Sequence, residues 1–218
     1  MASEQALTQT QIREFLTLCS LEWDALLLSR VQTYLRFLDK WNARMNLTGI
    51  RTPFEILKIL LAESFFAATL VPDPGGPVVD VGSGAGFPGL AMAIYRPEWK
   101  LILVEPRQKR AAFLAALRRE LKLNQVEVLN RRLEDCTSPD FPELPAMLTM
   151  RAVGSIPVVV RQGMRFLNDA GRVLLFSTAE AGKATMEGFS EVRWSSPVAI
   201  PWIREHILLL GQIQGCST

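Results

Sequence analysis

The stretch Val78-Val79-Asp80-Val81-Gly82-Ser83-Gly84-Ala85-Gly86-Phe87-Pro88-Gly89 decides the fold. A short apolar strand, broken only by Asp80, runs into three alternating glycines, and Pro88 then marks the start of a helix. Glycine lacks a Cβ, so the backbone turns sharply here and a ligand can come close to it. The helix behind the turn offers unpaired N–H groups at its first turn. The next apolar run, Leu101 to Glu105, ends in a carboxylate 16 residues beyond Gly89. In a βαβ unit that acid stands beside the glycine turn, where it can accept both hydroxyls of a ribose.

Outward from this turn, short apolar runs (Val78–Val81, Leu101–Glu105, Val126–Leu129, Ala146–Met150, Arg172–Phe176) alternate with helical stretches (Pro88–Tyr95, Lys109–Leu121, Ile156–Leu167, Ala179–Gly188). That alternation predicts a parallel sheet covered on both faces. Glu191–Ile200 and His206–Leu210 are strand-like and joined only by Pro201–Glu205. So short a link predicts an antiparallel pair, since a parallel crossover takes a dozen residues or more. Upstream, Val71 to Pro77 holds three prolines and two glycines, and no helix continues through it. It separates a helical segment, residues 1–70, from an α/β domain, residues 77–218. Within the segment, apolar residues recur at helical steps from Ile12 to Leu18. A longer face joins Trp23, Leu26, Leu27, Val31, Tyr34, Leu35, Leu38 and Trp41 over about five turns, with Arg30, Arg36 and Lys40 opposite. Thr52-Pro53 is an N-cap followed by proline at the first helical position, opening a helix from Phe54 to Leu70. So long an apolar face is expected to pack on the α/β domain.

Composition narrows the field. The 218 residues are 49% hydrophobic, enough for a full core, and the net charge is only +2, which excludes a histone-like polybasic binder. Of the 24 basic residues 18 are arginine, the side chain whose planar fork suits phosphates and bases, though a genome biased toward arginine explains the excess equally well. Cys19, Cys136 and Cys216 form no CxxC pair or disulfide framework. The single histidine, His206, leaves no His-rich metal site. No apolar run reaches membrane-spanning length, and Met1 to Thr10 lacks the apolar core of a signal peptide. A cytoplasmic, metal-free, monomeric protein with no membrane contact is expected.

Several chemistries fail on inventory. Ser83 lies outside a G-x-S-x-G elbow, and no P-loop pattern occurs. Gly84-Ala85-Gly86-Phe87-Pro88-Gly89 fits the dinucleotide fingerprint G-x-G-x-x-G. However, Asp80 before the glycines would repel a pyrophosphate, and it suits the amino end of a methionine moiety. An antiparallel last strand is also foreign to the simple dinucleotide sheet. Together these features look like a class I S-adenosylmethionine-dependent methyltransferase: a Rossmann-like α/β sheet, mostly parallel, with an antiparallel last strand. A methyltransferase acting on a small molecule or protein, and a dinucleotide-dependent oxidoreductase, stay open at this point.

Further elements appear in a specific order: Trp41-Asn42, then Asn46-Leu47-Thr48-Gly49-Ile50, the glycine loop, Lys109-Arg110 with Phe113-Leu114, Arg132-Leu133-Glu134, and Arg151-Ala152. From Tyr34 to Gly171 the chain resembles the RsmG (GidB) family of bacterial 16S rRNA methyltransferases. The resemblance implies S-adenosylmethionine as methyl donor and N7 of a guanine in the decoding region of 16S rRNA as acceptor, presented as RNA or as a 30S particle. It places the donor against Gly82, Phe87, Leu133, Glu134 and Arg151, which joins the reading from the residues themselves of a donor across Gly82, Gly84 and Gly86 with Glu105 on the ribose. Three departures stand out. The family's His-x-x-Asp-Ser element reads Leu60-Leu61-Ala62-Glu63-Ser64, a Lys-Gly after the fifth strand reads Ser177-Thr178, and a Thr-Pro-x-x-Tyr-Pro-Arg ending is missing.

Guanine N7 carries an in-plane lone pair and no proton, so its methylation requires no general base. The catalytic task is alignment, which falls to Arg151 at the end of the fourth strand. RNA contact is expected from Arg107, Lys109 and Arg110, close to the donor loop. Arg118, Arg119 and Lys122 read as a solvated helix face, Trp41 as core, and His206 as a structural histidine.

Overall fold

A computed structural model of the chain describes residues 6–71, 73–151 and 155–214. Three helical stretches come first. Helix α1 (Gln9–Leu18) opens on a capping box between Thr8 and Gln11. Helix α2 (Ala25–Met45) is capped by Asp24, whose side chain accepts from the Leu27 N–H at 2.6 Å. It ends on Asn46 in the left-handed region (φ 47°). The buried Asn42 side chain accepts the Thr48 N–H at 3.0 Å, so the Asn42 to Thr48 element is a helix-ending turn. The apolar face of α2 is shorter than its sequence suggests: Trp23 precedes the helix and is 43% exposed, and Leu26 is 55% exposed.

The third stretch begins at the Thr52 cap as α3 (Pro53–Glu55), widens into a π-helical stretch, Ile56–Leu61, and continues as α4 (Ala62–Thr69). The predicted helix is present, but its middle is π-helical, which apolar periodicity does not reveal. In this stretch the Lys58 carbonyl accepts from Trp202 Nε1 at 3.1 Å and the Ile59 carbonyl from Arg151 Nη1 at 3.2 Å.

The sheet follows the alternation read from sequence. Strands β1 (Val78–Val81), β2 (Leu101–Val104), β3 (Val126–Leu129), β4 (Met147–Arg151) and β5 (Arg172–Thr178) are parallel neighbours in the order β3-β2-β1-β4-β5. Between them run α5 (Gly89–Tyr95), α6 (Gln108–Glu120) and α7 (Ile156–Met164), while α8 (Ala179–Glu187) follows β5. The tail differs from expectation. Glu191–Ile200 is divided into β6 (Val192–Trp194) and β7 (Val198–Ile200), broken around Pro197, which has no N–H for a ladder. The last strand, β8 (Ile203–Ile213), is more than twice the predicted length and lies antiparallel between β5 and β6. Strand β7 also pairs antiparallel with β8.

Alternation along the strands divides the core in two. Val78, Leu101, Leu103, Met147, Leu174 and Leu208 bury themselves with α1, α2, α4, α5 and α6. Val79, Ile102, Val104, Leu148, Val173, Leu175 and Leu209 pack with Val160 of α7 and with Phe189. The order reverses between β1 and β4, so the strand ends there open a crevice.

Tyr34 of α2 crosses from the helical segment to the glycine turn, where its hydroxyl donates to the Ala85 carbonyl. Its ring lies 5.2 Å from that of Phe87. Tyr34→Phe should lower stability by about 1–3 kcal/mol, because a buried carbonyl loses its donor. A chemical denaturation midpoint equal to wild type would show that the contact adds nothing.

Candidate active site

The glycine turn after β1 is shaped from below and beside it. Gly82, Gly84 and Gly86 have φ of 70°, 53° and 97°, the left-handed region that side chains rarely tolerate. At Gly86 a Cβ would also lie 3.0 Å from the Tyr34 hydroxyl. Beneath the turn, the Asp80 carboxylate is 0% exposed and its Oδ2 accepts the Gly89 N–H at 3.1 Å. A Cβ on Gly89 would stand 2.5 Å from the Asp80 Cβ, so only glycine lets α5 begin there. Burial pushes the Asp80 carboxyl up to about 7, against the Gly89 bond that lowers it. Asp80 thus lies under the loop instead of on its open face. Its Oδ1 is buried with no hydrogen-bond partner among the described residues.

Glu105 follows β2 and is 2% exposed. Its Oε2 accepts the Gly84 N–H at 2.9 Å and its Oε1 the Arg107 N–H at 2.9 Å. Each oxygen keeps lone-pair capacity for a hydroxyl. Asn130 Nδ2, from the end of β3, donates to the Glu105 carbonyl at 2.9 Å and fixes the two strand ends together. Leu133 is buried in a 3-10 turn, Leu133–Asp135, and Arg165, just after α7, pins that turn by donating to the carbonyls of Leu133, Glu134 and Cys136. The Glu134 side chain is half exposed and accepts from Arg132 at 3.3 Å. Phe87 is buried against Tyr34. Arg107 and Lys109 are exposed at the start of α6, and Arg110 is half-buried. The Arg110 guanidinium is close enough to Gly84 that a Cβ there would lie 3.6 Å from Nη1. Arg118 instead donates to the Leu123 carbonyl at the end of α6. Trp41 packs against Phe37 and Phe113.

A family model described as rRNA small subunit methyltransferase G matches residues 27–194. The chain belongs to that family. A ribosomal RNA small subunit methyltransferase G of Helicobacter acinonychis is 37% identical over 146 residues, 67% of this chain and 79% of that protein. Its counterpart in Nitrosospira multiformis is 43% identical over 111 residues, half of each chain. Among solved structures, cofactor-bound Rv0187 from MTB superposes with a TM-score of 0.65 at 13% identity, covering 96% of this chain and 99% of that one. P. horikoshii TYW2 in complex with MeSAdo gives 0.55 at 18% identity, covering 72% and 63%. These two likenesses concern the fold, which is that of the class I methyltransferases.

Against the family pattern, one group of residues was not legible as a site. Arg151, at the end of β4, places Nη1 2.7 Å from Oε2 of Glu63, a carboxylate on α4 that is 1% exposed. His206 of β8 brings Nδ1 to 3.2 Å from both oxygens of the same carboxylate. The guanidinium also stacks over Phe176, 5.6 Å from its ring centre. Residues 63, 151 and 206 are too far apart in sequence for any spacing rule to join them; Glu63 was visible only as the acid of the Leu60 to Ser64 element and Arg151 only as a residue at the strand end. His206 therefore shares the rim with Arg151 and is not remote from it. Two of the three departures have local explanations: Leu60 is buried in the core, and the Thr178 hydroxyl caps α8 by accepting from Ala181. Ala152 lies outside the described residues.

The raised carboxyl at Asp80 has a sign. A pKa higher in the folded chain gives a contribution that is complete below the ordinary carboxylate range and fades as pH rises through about 7. Asp80→Asn keeps an acceptor for Gly89 and cannot ionise. Relative to that variant, the wild-type chain should lose stability between about pH 4 and pH 7. Denaturant midpoints that run parallel across this range would contradict a buried, proton-binding Asp80.

Proposed function

We propose that this chain methylates N7 of a guanine in the decoding region of small-subunit ribosomal RNA, using S-adenosylmethionine. The observation that carries the reading is the Glu105 carboxylate, locked by the Gly84 and Arg107 N–H groups beside a left-handed glycine turn. That arrangement suits a ribose whose nucleoside lies over Gly82, Gly84 and Gly86. Phe87 and Leu133 supply apolar contact, and Glu134 stands at the outer edge. The bound donor supplies a sulfonium methyl, an electrophile that needs no activation by an acid. The protein's residues then have three tasks: to hold the nucleoside, to align the base, and to keep the positive charge acquired by N7 from meeting another cation.

Arg151 at the β4 rim is the residue we assign to alignment. Arg107, Lys109 and Arg110 are placed by this reading on the RNA backbone, where cations act by displacing counterions. We infer further that residues 1–70 and 77–218 act as one body, as the Tyr34 and Glu63 contacts suggest, that one copy suffices, and that the work is done in the cytoplasm. Among the described residues no helix is long and apolar enough to cross a membrane.

Labelled donor should transfer its methyl to 30S particles or to 16S rRNA, and mass spectrometry of the digested RNA should find 7-methylguanosine. Methyl groups appearing only in protein or metabolite fractions would refute the assignment. Glu105→Ala should weaken donor binding about tenfold or more by calorimetry, since each charge-assisted hydrogen bond contributes about 1.5–3 kcal/mol. Arg151→Ala should slow single-turnover transfer by about a hundredfold, the effect of a base misplaced by about 1 Å. An unchanged rate would remove Arg151 from the chemistry.

A further inference from the structure

We propose that Glu63 is a positioning residue for methyl transfer: it fixes the Arg151 guanidinium at the rim and cancels its charge there, and His206 holds Glu63 in turn. The inference rests on the reading of Arg151 as the group that aligns the base.

The geometry ties three distant elements to one carboxylate. Oε2 of Glu63 takes Arg151 Nη1 at 2.7 Å, and both oxygens face His206 Nδ1 at 3.2 Å. A carboxylate that neutralises a guanidinium can only accept hydrogen bonds, so Nδ1 is the protonated nitrogen of the imidazole facing it. Arg151 Nη1 is also bound by the Ile59 carbonyl at 3.2 Å. Its Nε and Nη2 make no hydrogen bond among the described residues, leaving a planar edge able to donate to a base oxygen or phosphate.

Two physical points argue that this is more than a strut. A buried ion pair is a poor way to add stability, because desolvation consumes most of the attraction and apolar replacements often serve as well. A carboxylate only 1% exposed, the one charged side chain of its helix, therefore calls for another role. The carbonyl that completes the arrangement also comes from a π-helical stretch, an irregularity that recurs at functional sites. The chemistry supplies the role. As its lone pair forms the N–C bond and the C–S electrons return to sulfur, N7 gains positive charge. An uncompensated guanidinium nearby opposes that gain. Paired with Glu63, Arg151 can still donate a hydrogen bond to the base while the pair presents no net charge.

The test uses the full-length chain and three variants: Glu63→Gln, Glu63→Asp and Arg151→Ala. Single-turnover methylation of 30S particles gives the transfer rate, titration of the particles gives KM, and calorimetry gives donor affinity. Because His206 is the only histidine, its imidazole nitrogens report the cluster by NMR without any turnover. Glu63→Gln keeps the shape and loses the charge. It should slow transfer about tenfold or more, with donor affinity and KM unchanged and the His206 signals shifted. Glu63→Asp, which restores the carboxylate, should recover part of the rate. A wild-type rate in Glu63→Gln, alongside a slow Arg151→Ala, overturns the inference and leaves the Arg151 assignment standing. A slow Glu63→Gln whose donor affinity falls with the rate, and which Asp does not rescue, marks a structural carboxylate and also overturns it. A wild-type rate in Arg151→Ala removes the underlying reading and the inference together.

Discussion

The glycine turn after β1 is held by main-chain bonds to the Val104 carbonyl and by three side chains from outside it that hydrogen-bond its backbone. Each partner comes from a different element: Asp80 of β1 accepts the Gly89 N–H, Glu105 after β2 accepts the Gly84 N–H, and Tyr34 of α2 donates to the Ala85 carbonyl. Glycine makes this possible twice over. Its left-handed dihedrals let the chain fold back, and its missing side chain lets neighbouring groups reach the main chain. The loop is therefore preorganised by residues that also have other tasks, Asp80 within the sheet and Tyr34 within the helical segment. Preorganisation of this kind lowers the ordering cost when a ligand binds.

The rim across the crevice follows the same logic with charge in place of backbone. Arg151, Glu63 and His206 come from β4, α4 and β8, and none of the three elements alone supplies a complete set of partners. Removing one member of such a pair leaves a charge buried without compensation, which costs about 3–5 kcal/mol in comparable cases. The helical segment thus contributes to both sides of the crevice, through Tyr34 at the loop and Glu63 at the rim.

Much of this was legible in the sequence, for physical reasons specific to each element. The Val78 to Gly89 stretch carries its own instructions, because strand, turn and helix start are all local. The short Pro201–Glu205 link correctly required an antiparallel ending, although the true strand starts at Ile203 and the preceding run is split around Pro197. Glu105 could be read because it lies at a fixed distance along one βαβ unit. Glu63, Asn130 and His206 could not be read this way, since each acts through a partner set by tertiary packing and separated by many residues. Asp80 was found, but its place beneath the loop depends on how closely α5 approaches β1. The π-helical stretch has the composition of an ordinary apolar helix, and only the donors from Arg151 and Trp202 reveal what its carbonyls do.

The position of β8 also has a consequence for how the chain is made. This strand lies inside the sheet, between β5 and β6, yet it is built from residues 203–213, which leave the ribosome after every other described element of the sheet. Until they emerge, β5 is an open edge whose unpaired backbone flanks Leu174, Leu175 and Phe176. Earlier elements can condense during synthesis, but the Glu63 carboxylate lacks its histidine until β8 docks. Completion of the sheet and completion of the rim are thus the same late event in the life of the nascent chain.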